Sequence, residues 1–243
     1  MYLNQTMASG VVPQICAVFG SCGGGMAVSS AIADFVFMEE KAKMFVNSPN
    51  ALAGNDEKKC DTASADFQSG ESGLADVVGS AEEILAKVRT LVSVLPANNE
   101  DDMSYDECGD DLNRLCENIE SFRGDTGKAL SMISDDGFFF EVKENYGPEM
   151  VTAFIRLNGM TVGCVANRTE VLDEENEKTA EYEPVLGARG CDKAAEFVSF
   201  CDAFNIPVLA LVNVKGYKQS KCTERRIAKA AGRLTYAFAN ADV

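Results

Sequence analysis

Gly20-Ser21-Cys22-Gly23-Gly24-Gly25-Met26 decides how the rest of the chain reads. It follows an apolar, β-prone run, Ile15-Cys16-Ala17-Val18-Phe19, and precedes small residues, Ala27 to Ala33, that can enter a helix. A strand that passes through consecutive glycines into a helix start leaves backbone N–H groups with no helical carbonyl to bond. These groups point together at the positive end of the helix dipole, and no Cβ keeps a ligand from them. The arrangement suits a bound anion or a carbonyl oxygen turning into an oxyanion. Three glycines also serve as a plain turn, so the flanking sequence has to decide.

Composition narrows the classes. Of 243 residues, 46% are hydrophobic, enough for a sizeable core in one large domain or two small ones. The net charge of −16 argues against nucleic acid or an anionic membrane as partner. There is no histidine, which excludes imidazole bases and His-ligated zinc within the chain. The nine cysteines form no CxxC pair, and Cys16, Cys164 and Cys201 sit in apolar runs, as buried free thiols do. The first ten residues lack a basic then apolar leader pattern, and no apolar run reaches the ~20 residues that span a bilayer. The expectation is a protein of the reducing cytoplasm with no metal of its own.

Along the chain, Phe35-Val36-Phe37-Met38 and Ala42 to Val46 read as two short strands, and residues 48–79 mostly as loop. Ser80 with Glu83 forms a capping box that opens a helix. Its apolar stripe is Ile84, Val88, Leu91 and Leu95, and Pro96 ends it. Residues 99–111 hold seven carboxylates and no base, the pattern of a solvated linker. The linker is placed at 99–124, with a short helix around Leu112 to Phe122, between domains at 1–98 and 125–243.

The second half has another texture. A helix is expected from Gly127 to Ser134 and a strand over Phe138 to Val142. Met150 to Leu157 and Met160 to Asn167 flank Asn158-Gly159, a strong hairpin signal. Glu170 to Gly187 reads as a charged surface loop, Cys191 to Phe204 as a helix, and Ile206 to Val214 as a buried parallel strand. A basic helix from Glu224 to Asn240 closes the chain. Lys215, Lys218, Lys221, Arg225, Arg226, Lys229 and Arg233 lie on this last stretch, where they could receive phosphates or an acidic partner domain, or simply solvate a helix face.

Several stretches together resemble the carboxyltransferase (β) subunits of biotin-dependent acyl-CoA carboxylases and the related acyl-CoA decarboxylases. They are Ala8-Ser9-Gly10-Val11-Val12-Pro13-Gln14-Ile15 with the glycine run, Ala31 to Met38, Leu95-Pro96-Ala97-Asn98-Asn99, Val162 to Asn167, and Lys193 to Pro207. The match departs at Ser21, Gly23, Met26, Val28 and Ser30, and the family's DVPGF motif stands here as Asn213-Val214-Lys215-Gly216-Tyr217. The resemblance implies an α/β, crotonase-like spiral, with parts of two tandem crotonase domains, the back half of one and the front half of the next. The chain thus looks truncated at both ends relative to the family.

The resemblance further implies an oxyanion hole at Gly24 and Gly25, shared by the Met26 N–H, which holds the enolate of an acyl-CoA thioester. Carboxybiotin on a partner biotin carboxyl carrier protein would exchange the carboxyl group, alongside biotin carboxylase or decarboxylase subunits. Family subunits assemble as hexamers in which one protomer's first domain faces another's second. Backbone donors suffice for such chemistry, so the missing histidine is compatible with it. Two other readings stay open: a non-catalytic fragment or assembly subunit that needs a partner chain, and a crotonase-type hydratase or isomerase. The last needs positioned carboxylates, and Asp34 alone lies within ten residues after Gly25.

Overall fold

The structure, a computed structural model, describes residues 2–101 and 107–243. The chain forms two compact units, Met1–Glu100 and Asp101–Val243.

The first unit runs α1 (Tyr2–Ala8), β1 (Ile15–Val18), β2 (Ser21–Gly23), α2 (Gly25–Ser30), β3 (Phe35–Glu39), β4 (Lys43–Phe45), β5 (Val77–Gly79) and α3 (Ala81–Val92). A parallel sheet has the order β1-β3-β5, and β2 and β4 form a second, two-stranded parallel pair. Phe35 to Met38 are all buried, as an uninterrupted apolar run in a central parallel strand should be. Val36 and Met38 meet Val18, Ala27, Met44 and Ala75 in the unit's core.

The capping box forms as its residues demand. Ser80 N–H donates to Glu83 Oε2 at 2.8 Å, and the Glu83 N–H returns to Ser80 Oγ at 3.3 Å. Ile84 and Leu91 are buried; Leu95 lies beyond the helix, which stops at Val92 ahead of Pro96. Residues 48–79 are mostly loop, as expected, with β5 and a π turn at Phe67–Glu71 among them. Three residues carry no periodicity, so β5 exists only through its pairing with β3. Asp76 fixes that junction: Val36 N–H donates to its Oδ2 at 2.6 Å, and the Asp76 N–H to Val36 O at 2.8 Å.

The second unit contains α4 (Thr126–Ile133), β6 (Phe140–Glu141), β7 (Met150–Leu157), β8 (Met160–Asn167), β9 (Glu170–Leu172), β10 (Lys178–Glu181), α5 (Ala188–Ala203), β11 (Val208–Leu211), α6 (Lys221–Glu224) and α7 (Ile227–Asn240). Its main sheet has the order β11-β8-β7-β6, with β11 parallel to β8 and the other pairs antiparallel. The hairpin turns at Asn158 and Gly159, both with positive φ (55° and 77°), as a primed two-residue turn requires. Their N–H groups donate to Asp135 Oδ1 and Oδ2 at 3.0 and 2.7 Å, which clamps the tip from outside the hairpin.

One face of this sheet packs on α4 through Leu130, Val151, Ala153 and Ile155. The other meets α5, where Phe154 stacks against Phe197 at 5.0 Å between ring centroids. Gly163 allows that approach, since a Cβ there would lie 2.5 Å from Cys201 Sγ.

Four expectations change. The helix expected over Leu112 to Phe122 is a set of turns with one 3₁₀ turn at Ile119–Phe122; Leu112 and Leu115 are exposed, so nothing rewards a helical stripe. The described part of the acidic connection is fastened to the second unit, with Arg114 bonded to Asp110 and to the carbonyls of Met132 and Ser134; residues 102–106 of that connection lie outside the described set. The charged loop over 170–187 contains the antiparallel ribbon β9–β10, hidden by charges on its exposed faces. The last helix breaks at Arg225 and Arg226 into α6 and α7.

Candidate functional site

The glycine turn sits where β2 runs into α2. Gly24 takes φ 60° and ψ −127°, a conformation that side-chain-bearing residues rarely adopt. Its N–H donates to Phe45 O at 2.8 Å, which extends the β2–β4 ladder by one bond. Its carbonyl turns the other way and receives the Ala27 N–H at 3.1 Å, starting α2. One residue thus closes a sheet pair and opens a helix. Among the described residues, neither the Gly25 nor the Met26 N–H has an acceptor. The expected trio therefore divides: Gly24 shapes the turn with its own N–H engaged, and Gly25 and Met26 present the two open donors.

Tyr2 braces the turn from α1, its Oη donating to Gly25 O at 2.7 Å. The fit is close, because a Cβ on Gly25 would fall 2.6 Å from that oxygen. Phe19, Met26, Val28 and Val46 around the turn are exposed, so the open donors lie in an apolar surface. Asp34 is engaged elsewhere: its Oδ2 accepts the Gln14 N–H at 2.7 Å. Behind the turn, Cys16 and Cys22 both bring their sulfurs to Ser30 Oγ.

The second unit holds a buried ionic cluster that sequence reasoning did not single out. Glu141 and Arg168 form a two-contact pair at 2.9 and 3.0 Å, with both side chains almost fully buried. Lys193, 1% exposed, donates from Nζ to Lys143 O at 2.9 Å. Burial pushes its amine down to about 7, and burial raises the Glu141 carboxyl above its ordinary value. The available signal was positional, since Lys193 shares the inner stripe of α5 with Phe197 and Cys201. Lys143 itself holds a left-handed backbone (φ 54°), so Lys193 fastens a strained turn.

At the carboxyl end of β11 a crevice of about 930 Å³ is lined by Phe122, Thr126, Thr169, Glu170, Leu211 and Asn213 among others. Among the described residues, Thr126 Oγ1 in its wall is buried and has no hydrogen-bond partner. All seven cations of the closing basic stretch are exposed, and two of them, Arg226 and Arg233, share the Asp192 carboxylate at 2.8 and 3.1 Å. Among the described residues no cluster of acids and thiols is arranged to hold a metal ion, and no helix is long and apolar enough to cross a membrane.

The first unit's parallel strand that runs into a glycine turn with two open N–H donors, and the second unit's helix-covered mixed sheet, are features of the crotonase-like α/β proteins. Within that class the chain belongs to the carboxyl transferase domain family, whose model matches residues 1–243. It is 35% identical to the methylmalonyl-CoA carboxyltransferase 12S subunit of Propionibacterium freudenreichii subsp. shermanii, over all of this chain and 47% of that one. It is 34% identical to the carboxyltransferase subunit of propionyl-CoA carboxylase from Haloferax mediterranei, again over the whole chain and 48% of the relative. The crystal structure of transcarboxylase 12S, a hexamer with hydrolysed methylmalonyl-coenzyme A bound, superimposes with a TM-score of 0.87 at 33% identity, covering all of this chain and 47% of that one. The chain spans about half the length of the curated relatives it matches.

Proposed function

We propose that this chain supplies part of an acyl-CoA carboxyltransferase, which moves a carboxyl group between carboxybiotin and an acyl-CoA thioester. The observation that carries the reading is the pair of open N–H groups on Gly25 and Met26, held by the Gly24 turn. They receive the thioester oxygen as it gains charge on the way to an enolate. Such donors act on developing charge without reorganising, and losing one costs roughly 2.7–4 kcal/mol of barrier in other enzymes. Biotin, carried by a partner carrier protein, supplies the carboxyl group or takes it up. The crevice beside Thr126 and Asn213 in the second unit has room for its ring system. The working form is an oligomer in the cytoplasm, associated with biotin carboxylase or decarboxylase subunits.

A second reading, in which the chain contributes surface to an assembly without turning over substrate, is favoured by β11. Its run Ile206 to Val214 has the composition of a doubly covered strand, yet Ala210 and Val212 are exposed. One experiment separates the two. Methylmalonyl-CoA or malonyl-CoA is incubated with the chain and free biotin, and the CoA esters are followed by chromatography. Biotin-dependent decarboxylation supports the catalytic reading. No turnover in a folded sample supports the assembly reading.

A further inference from the structure

We propose that Cys16 and Cys22 form a reversible intrachain disulfide that acts on the glycine turn. The two thiols come from different strands, β1 and β2, and converge on one atom. Cys16 Sγ lies 3.3 Å from Ser30 Oγ, and Cys22 Sγ lies 3.5 Å from the same oxygen. Ser30 Oγ in turn donates to Met26 O at 3.1 Å, so a single hydroxyl joins both sulfurs to the residue that carries an open N–H. Cys22 is followed by Gly23 and Gly24, and any movement of its sulfur is felt at the turn within two residues.

Other cysteines of the chain are less suited. Cys164, Cys191 and Cys201 are fully buried, and burial pushes the Cys164 and Cys191 thiols up to about 12 and about 11. They are short of both thiolate and access. Cys60 and Cys222 are exposed, and the half-buried Cys108 and Cys116 turn their sulfurs to the carbonyls of Asp110 and Met132. Cys16 and Cys22 are both half-buried, which leaves them within reach of a small oxidant.

The chemistry is thiol–disulfide exchange with a low-molecular-weight disulfide of the glutathione class. One of the two thiols, as thiolate, attacks a sulfur of the disulfide, whose S–S bond breaks to release one small thiol. The second protein thiolate then attacks the mixed disulfide, forms the Cys16–Cys22 bond and expels the other small thiol. Two protein thiols lose two electrons and two protons, and the small disulfide gains both as two free thiols. Ser30 loses both sulfur contacts, and β1 becomes covalently tied to β2 across the residues that lead into the turn. A bond of this kind in a reducing compartment is a transient, sensing one.

The bond can be tested without any activity, and only its effect on turnover rests on the proposed function. The whole chain is equilibrated with oxidised glutathione, alkylated, and cut with chymotrypsin, for which Phe19 lies between the two cysteines. The expected result is that Cys16 and Cys22 both escape alkylation and that the fragments on either side of Phe19 stay joined until reduced. Cys16→Ala and Cys22→Ala should each leave the remaining thiol carrying one glutathione. Hydrogen exchange over residues 20–30 should shift on oxidation and return with dithiothreitol. Fragments that separate without reduction, while Cys60 and Cys222 take up glutathione, would overturn the bond. Fragments that stay joined across Phe19 in either single variant would overturn the pairing, and unchanged exchange in the oxidised chain would overturn its action on the turn.

Discussion

Gly24 donates its N–H to the carbonyl of Phe45 at 2.8 Å, and this bond makes the donors beyond it available. Because Gly24 is held in the β2–β4 ladder, its carbonyl is free to start α2, and the Gly25 and Met26 N–H groups have no acceptor among the described residues. The turn therefore separates a shaping residue from two presenting ones.

Gly25→Pro removes one open N–H and places ring atoms against the Tyr2 hydroxyl. Turnover should fall by about 10²–10³-fold or more, the scale for a lost oxyanion donor. Gly24→Ala should act on the fold instead, through a backbone conformation that costs of order 1–3 kcal/mol for a residue with a side chain. Urea midpoints and steady-state rates on both variants check this. Equal turnover in Gly25→Pro and the parent chain would remove the oxyanion assignment.

Gly163→Ala should destabilise the second unit by about 1–3 kcal/mol, the usual range for overpacking. Its new methyl would lie 2.5 Å from Cys201 Sγ and 3.1 Å from the Phe197 ring, both on the inner face of α5. Pairing it with Cys201→Ala should recover part of the loss. A double-mutant cycle by denaturant unfolding measures the coupling.

Stability should rise with pH above neutrality because of Lys193. The folded amine sits at about 7 and the ordinary one at 10.5, so between these values the unfolded chain holds a proton that the folded chain has released. More protons bound in the unfolded state means that stability increases with pH through that window, and the full cost of burying the charge is felt below it. Glu141, Arg168, Glu149 and Lys143 face this amine and set its background. Lys193→Met should flatten the slope of unfolding free energy between pH 7 and pH 9. A slope that survives the substitution assigns the effect to another group.

Asp135→Ala should loosen the hairpin that carries β7 and β8. It removes two hydrogen bonds that the Asn158 and Gly159 N–H groups donate to a buried carboxylate, and bonds to a charged group contribute about 1.5–3 kcal/mol each, net. Amide exchange at the hairpin tip should quicken before global unfolding does, and uniform exchange across the second unit would argue against a local clamp.

What could be read in advance divides along physical lines. The β7–β8 hairpin, the Ser80 cap and the parallel run Phe35 to Met38 each carry their own signal, in turn chemistry, side-chain reciprocity and unbroken apolarity. β5 carried none, because Val77 to Gly79 become a strand only when β3 is beside them. The β9–β10 ribbon was hidden for a related reason: its faces are solvated, so no alternation marks it. At the site, the glycines pointed to the turn, but which N–H is engaged depends on Phe45, twenty-one residues after Gly24 in the chain. The Glu141, Arg168 and Lys193 cluster joins three distant segments, and charges in separate segments do not announce that they will share one interior.

The half-covered state of β11 has a practical side. Along Val208 to Leu211 the outer edge is paired to no described strand, so its N–H and C=O groups form a template for further strands. Concentrated samples of the chain should therefore be colloidally restless, with turbidity that grows from seeds and fibres that recruit fresh molecules edge to edge. A charge at the exposed Ala210, as Ala210→Lys, would act as a gatekeeper on that edge, and the shelf life of the purified protein would reveal it.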